Sequence, residues 1–135
     1  MKKQNHRIAC YVIMPNHVHA LIDFAGSTKN INTVIGDGKR FIAYQIITRL
    51  KEAGKTDVLA ILEKAVTAKS KNKGKNHEVW EESFDWKICE TAEFANQKLI
   101  YMHNNPCSGK WKMVEDITKY EHSSARYYIT GKHAG

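Results

Sequence analysis

The sequence predicts an α+β fold, a small antiparallel sheet with helices on one face. Two apolar runs of strand length, 8–14 and 17–24, stand either side of Pro15-Asn16. Later stretches place their apolar residues three and four apart, the spacing of a helix. Strand and helix segments mix without a regular βαβ alternation, which argues against a parallel sheet.

Residues 8–14, Ile-Ala-Cys-Tyr-Val-Ile-Met, read as a continuous apolar strand. Proline cannot donate to a ladder, so Pro15-Asn16 marks a turn, a bulge or a strand start. A tight hairpin centred there is expected, with 17–24 as a second strand or as a continuation past the break. Residues 25–30 are rich in Gly, Ser, Thr and Asn and read as a loop. Ile31, Val34, Ile35, Phe41, Ile42, Ile46 and Leu50 then follow helical spacing. Gly36-Asp37-Gly38 is expected to break that pattern, leaving a firm helix over 39–53 that Gly54 ends. Residues 57–68 predict a second, shorter helix through Val58, Ile61, Leu62, Ala65 and Val66.

Residues 69–77 hold four lysines and no apolar side chain, a basic, mobile, solvated loop. Phe84, Trp86 and Ile88 alternate with Asp85 and Lys87, which predicts a half-buried strand with Trp86 in the core. Thr91 is suited to cap a helix over 92–105, and Pro106 stops it. Residues 107–135 form a C-terminal extension with Trp111, Tyr120, Tyr127 and Tyr128 but little periodicity.

At 135 residues the chain suits one domain, 1–135, with a core that needs no disulfides. An apolar share of 42% and a charged share of 26% exclude wholesale disorder. The net charge of +7 favours polyanionic partners, nucleic acid before anionic membrane. Cys10, Cys89 and Cys107 are odd in number, far apart and without a C-x-x-C pair, so neither a disulfide framework nor a zinc knuckle is expected. That usage fits a reducing, cytoplasmic location. The start is polar and basic, and the apolar run from Ile8 stops at Pro15. Neither a signal peptide nor a membrane partner is therefore expected.

His17-Val18-His19 is the first pattern that carries chemistry. Residues i and i+2 of a strand share a face, so two imidazoles project side by side, as a divalent metal requires. Half-exposed ordinary histidines would explain a bare H-x-H better, but two imidazoles inside a run of Ile, Val, Leu and Phe need a reason. Tyr101 and Asn105 are four apart on the predicted helix, with Gln97 one turn earlier on the same polar stripe. Ala95, Leu99 and Met102 fall on another face, suited to packing on the sheet. Asn105 precedes Pro106, where the backbone is expected to leave helical geometry, and its amide oxygen could complete a metal site.

Tyr11-Val12-Ile13-Met14-Pro15-Asn16-His17-Val18-His19 resembles the HUH motif of single-tyrosine transposases, most of all the REP-associated tyrosine transposases of the IS200-like family. Tyr101-Met102-His103-Asn104-Asn105-Pro106 resembles their catalytic-helix signature, and Tyr120-Glu121-His122-Ser123-Ser124-Ala125-Arg126 the Ser-Ser-x-Arg stretch that follows. Val79-Trp80-Glu81-Glu82-Ser83-Phe84 is similar to the aromatic strand entry between them. The likeness runs from about residue 8 to 128, with separate motifs in matching order and spacing.

The resemblance implies a ferredoxin/RRM-like antiparallel sheet with helices on one face. It implies His17, His19 and Asn105 as ligands of Mg²⁺ or Mn²⁺ and Tyr101 as the nucleophile. The implied reaction cleaves single-stranded DNA, near a hairpin, through a 5′-phosphotyrosine intermediate that a second strand end can reverse. Lys39, Arg40, Lys69, Lys71, Lys73, Lys75 and Arg126 are expected on the DNA backbone, where they would give salt-dependent affinity. Trp80, Trp86 and Trp111 are aromatic enough to stack bases. His77, His103 and His122 are expected to be structural or exposed.

Relatives carry a further strand and helix ahead of the position of Ile8, and only seven residues precede Ile8 here. The expectation is a sheet lacking the family's first strand and helix, through a truncated start, a rearranged sheet or a strand supplied by a partner chain; a bare inner strand edge invites pairing, hence a homodimer. A catalytically impaired remnant that holds DNA hairpins is the alternative. An RNA-binding domain of related topology lacks support from any RNP-like aromatic strand. A replication-initiator nuclease shares the chemistry but not the Tyr101–Pro106 stretch. A water-using metal hydrolase leaves Tyr101 without a role.

Overall fold

The structure, a computed structural model, describes residues 6–132. Met1–Asn5 of the polar start and the last three residues of the 107–135 extension lie outside the described residues. The fold is mixed α and β, and the chain divides into two compact units, 29–86 and the remainder.

The unit formed by the two ends of the chain is built on a hairpin. β1 (Arg7–Ile13) pairs antiparallel with β2 (Val18–Asp23), in the register Val12 opposite His19 and Ile13 opposite Val18. Pro15-Asn16 makes the turn as expected, closed by the Met14 N–H donating to the His17 carbonyl (2.8 Å). The ladder slips between Ile8 and Cys10, a bulge at Ala9. Alternation then sorts the side chains. Cys10, Val12 and Met14 are buried, while Tyr11, Ile13 and Val18 on the other face are exposed.

The buried face is covered by α4 (Ala92–Asn104). Thr91 caps this helix as the sequence predicts, its hydroxyl accepting from the Phe94 N–H (3.1 Å). Met102 joins Cys10, Val12, Met14 and Tyr120 in the core, with Leu99, Leu21, Trp111 and Val114 packed around it. The helix gives way at Asn105 to a 3-10 turn, Asn105–Cys107, with Pro106 buried inside it. Asn105 itself keeps helical dihedrals (φ −51°, ψ −46°). The expected departure from helical geometry before Pro106 does not occur, because a following 3-10 turn accommodates the proline ring without leaving the helical region.

The C-terminal extension is more ordered than its composition predicts. After 3-10 turns at Gly109–Trp111 and Ile117–Lys119 it runs along the edge of β1 opposite β2 and ends in α5 (Ala125–Thr130). The Ile13 N–H donates to the His122 carbonyl (2.8 Å) and the Ser124 N–H to the Tyr11 carbonyl (3.0 Å), and Val12 bridges Ser123. Tyr120 Oη donates to the Ile13 carbonyl (2.7 Å) and Tyr128 Oη to that of Ala9 (2.6 Å). The edge expected to be bare is therefore lined by the same chain. The outer edge of β2 pairs with no strand among the described residues.

The unit 29–86 is helical. α1 runs unbroken over Ile31–Glu52, through Gly36 and Gly38, where the sequence predicted a break. A helical glycine costs only about 1 kcal/mol relative to alanine. The Asn30 carboxamide starts the helix by accepting from the Asn32 N–H (2.8 Å), and Asp37 pairs with Arg40 (3.0 Å) and Lys29 (3.4 Å) across the weak stretch. Gly54 ends it with φ +64°, as expected. α2 is Thr56–Lys64, shorter than the predicted 57–68. α3 (Ala68–Asn72) occupies the first half of the run expected to be a loop, because the Thr67 hydroxyl caps it at the Ser70 N–H (3.3 Å). The strand predicted at 84–88 is absent among the described residues, and Trp86 is 52% exposed rather than in the core. Its alternating pattern is present, but no neighbouring strand offers the backbone partners a strand needs. No helix among the described residues is long and apolar enough to cross a membrane.

Candidate functional site

The hairpin places His19 in β2, and His17 just before that strand, on the side opposite the exposed Val18. Their rings meet edge to face with centroids 4.9 Å apart. Val18 between them is turned to the exposed face, as the strand period requires. From α4 the Tyr101 ring approaches His19, with centroids 6.3 Å apart and planes at 75°. Leu99 and Met102 hold that helix on the sheet, which leaves Tyr101 at its rim, 62% exposed. Two imidazoles and a phenol separated by more than eighty positions are thus brought into one cluster.

A hydrogen bond orients one imidazole, and burial shifts the titration of the other. His17 Nδ1 lies 2.6 Å from the Asn16 carboxamide oxygen. That oxygen can only accept, so Nδ1 donates to it, and Nε2 is the ring nitrogen left for another partner. Burial, and then the neighbouring His17, push His19 below the ordinary imidazole pKa, so it is neutral at pH 7. Asn105 follows Tyr101 by one helical turn. Its Nδ2 is buried with no hydrogen-bond partner among the described residues, so no protein contact claims that end of the carboxamide.

Among the described residues no three His, Cys, Asp or Glu side chains group to hold a metal ion. A metal at this cluster needs a ligand of another type beside the two histidines, and Asn105, one helical turn after Tyr101 with a buried, unpartnered amide nitrogen, is the candidate. A donor set of two imidazoles and one amide oxygen fits a divalent cation of borderline or harder character.

The residues expected on DNA distribute differently. Lys69 and Lys71 are exposed on α3, and Lys73 caps its end. Lys39 donates to the Glu81 carbonyl, Arg40 pairs with Asp37, and Lys75 pairs with Glu78. All six belong to the unit 29–86. Arg126 belongs to the other unit, where with Thr118, Lys119, Glu121 and Thr130 it lines a shallow cleft of about 320 Å³. Trp80 is half-buried, its indole N–H donating to the Lys39 carbonyl (2.9 Å), and Trp111 packs on the core.

Three roles escape sequence reasoning. Asn16 orients His17, a role that adjacency in the turn could have suggested. His103, 3% exposed, has Nε2 2.9 Å from Ser124 Oγ, and Ser124 Oγ also accepts from the Tyr11 N–H (2.9 Å). This contact clamps the C-terminal segment to β1, and nothing in local spacing reveals it. Lys98 holds its ammonium over the Tyr101 ring, a neighbour that the three-residue spacing on a helix does predict.

No family model, curated protein or solved structure matches the chain.

Proposed function

We propose that this protein is a metal-dependent single-tyrosine enzyme that nicks and rejoins single-stranded DNA, of the transposase type. The observation that carries this reading is the cluster of His17, His19 and Tyr101, with ring separations of 4.9 and 6.3 Å. A hydrolase using water would need the histidines but not an exposed phenol beside them. The order and spacing of the motifs, which resemble those of IS200-like transposases on a ferredoxin-like sheet, support the same reading.

Tyr101 Oη loses its proton to solvent or a nearby base and forms a bond to phosphorus. The bond from phosphorus to the 3′ oxygen breaks, and that oxygen leaves with the electron pair and takes up a proton. The products are a 5′-phosphotyrosine and a free 3′-hydroxyl. The phosphotyrosine keeps the ester at the same level, so a 3′-hydroxyl from another end reverses the step and joins strands. A Mg²⁺ or Mn²⁺ ion, held by His17 Nε2, His19 and the Asn105 amide oxygen, would neutralise charge on the phosphate. Asn16 fixes the His17 tautomer that such binding uses. The basic side chains, chiefly the exposed Lys69, Lys71 and Lys73, would hold the DNA backbone. The free outer edge of β2 leaves a place for a second copy, so a homodimer belongs to this reading; light scattering at micromolar concentration that finds only monomer removes it.

The test is a denaturing gel with labelled single-stranded hairpin DNA and Mn²⁺. A covalent adduct is expected with the wild type and absent with Tyr101→Phe or with EDTA. DNA binding without an adduct, or an adduct that survives Tyr101→Phe, overturns the reading.

A further inference from the structure

Lys98 stands on α4 three residues before Tyr101. Its Nζ lies 5.1 Å from the centre of the Phe94 ring and 5.9 Å from that of Tyr101. The side chain is half-buried, yet no ion pair among the described residues includes it. Lys75 and Arg40, by contrast, are paired with carboxylates. The Tyr101 ring is therefore approached both by an imidazole, His19, and by an ammonium with no carboxylate partner among the described residues.

An ammonium over a ring gains only about 0.5–1 kcal/mol at an exposed site. An anion that reaches Tyr101 offers Lys98 a charge-assisted hydrogen bond, which is roughly twice as strong as a neutral one. The aromatic contacts hold the ammonium beside the phenol without consuming it. Packing three and four residues apart on a helix would place Lys98 there with no function at all, so the experiment must read charge rather than structure.

We propose that Lys98 anchors the scissile phosphodiester, its ammonium donating to a nonbridging oxygen while Tyr101 Oη attacks phosphorus. In this role Lys98 donates a hydrogen bond and transfers no proton to the substrate. This assignment rests on the nicking and joining reading above and adds to it the group that brings the phosphate to the nucleophile.

The test runs in two backgrounds. In Tyr101→Phe, which forms no adduct, binding of single-stranded hairpin DNA is measured across a salt series. Lys98→Met keeps the unbranched stem and removes the charge, and Lys98→Gln is the second neutral variant in case the first does not fold. The slope of log affinity against log salt is expected to fall by about 0.7, one phosphate contact on a single strand, and Lys98→Arg restores it. In the Tyr101 background, adduct formation at saturating DNA is expected to slow about 10²-fold with Lys98→Met. Bound DNA with an unchanged slope in both neutral variants overturns the assignment and leaves the nicking reading standing. A reduced slope with no wild-type adduct overturns the nicking reading and keeps Lys98 as a phosphate contact. Absence of DNA binding overturns both.

Discussion

Ser124→Ala tests what holds the C-terminal segment on the sheet. The hydroxyl accepts from the Tyr11 N–H (2.9 Å) and lies 2.9 Å from His103 Nε2 and 3.2 Å from the Tyr11 carbonyl. Whichever of Ser124 and His103 supplies the proton between them, the methyl of alanine leaves Nε2 without a partner beneath a side chain only 3% exposed. A buried polar group so orphaned costs about 1–3 kcal/mol. The Tyr11 N–H, nearer water, adds about 0.5–1.5 kcal/mol, so a loss of about 1.5–4.5 kcal/mol is expected. The assay is urea unfolding of the wild type, Ser124→Ala, His103→Phe and the double variant. His103→Phe keeps a ring against Tyr128, whose centroid lies 5.5 Å from that of His103. With both polar side chains removed no buried imidazole nitrogen is left unpaired, so the double variant should lose less than the two single losses added. Agreement of the sum with the double variant to within about 0.5 kcal/mol refutes the coupling and with it the clamp.

Acidification should destabilise the fold. Burial lowers the pKa of His103, and burial with a neighbouring His17 lowers that of His19. The unfolded chain then binds more protons than the folded one below the ordinary value of 6.5. Stability is therefore fully present above that value and falls as pH drops toward the folded-state pKa values, at up to about 1.4 kcal/mol per pH unit per histidine. Urea midpoints in EDTA at pH 7.5, 6.5 and 5.5 check the direction, and a flat profile refutes it. Gly38→Ala should stabilise the 29–86 unit by about 0.5–1 kcal/mol, since a Cβ there meets nothing within 4 Å; thermal melting that shows a loss places a steric conflict at that turn. Met102→Ala should cost about 2–5 kcal/mol, because Met102 is 6% exposed in the core cluster; a loss under half of that in urea means that α4 does not pack there as described. Saturating Mn²⁺ at about 100 times its Kd should stabilise the wild type by about 2.7 kcal/mol. His17→Ala should remove that gain, and an equal gain in the variant places the ion elsewhere.

What the sequence reveals of the site follows from how local each determinant is. His17 and His19 share a face because a strand repeats every two residues, and Tyr101 and Asn105 share one because a helix repeats every 3.6. Both facts are fixed within a few positions of the residues concerned. The bearing of the hairpin on the helix was legible more indirectly, through Leu99 and Met102, whose spacing selects the face that α4 turns to the sheet. The same local logic misled at Gly36-Asp37-Gly38, where a propensity of about 1 kcal/mol per glycine was set against a cap at Asn30 and two ion pairs that Asp37 makes with Lys29 and Arg40 beyond the triplet. It misled again at Phe84, Trp86 and Ile88, since alternation specifies faces while a strand exists only if another chain segment supplies its hydrogen bonds.

The clamp on β1 was hidden for a further reason. Tyr11 and Ser124 are 113 residues apart, and a serine, a histidine and two tyrosines in an aperiodic tail carry no pattern that names their partners. Yet this contact bears directly on the cluster. His103 lies on α4 two residues beyond Tyr101, and β1 is the strand that holds β2 and its histidines. Ser124 therefore ties the helix that carries the phenol to the hairpin that carries the imidazoles, independently of the apolar packing through Met102. Because two separate contacts fix one relative position, weakening either should loosen the spacing of His19 and Tyr101 before it unfolds the unit. Ser124→Ala should on this reasoning impair adduct formation at temperatures where the protein is still folded.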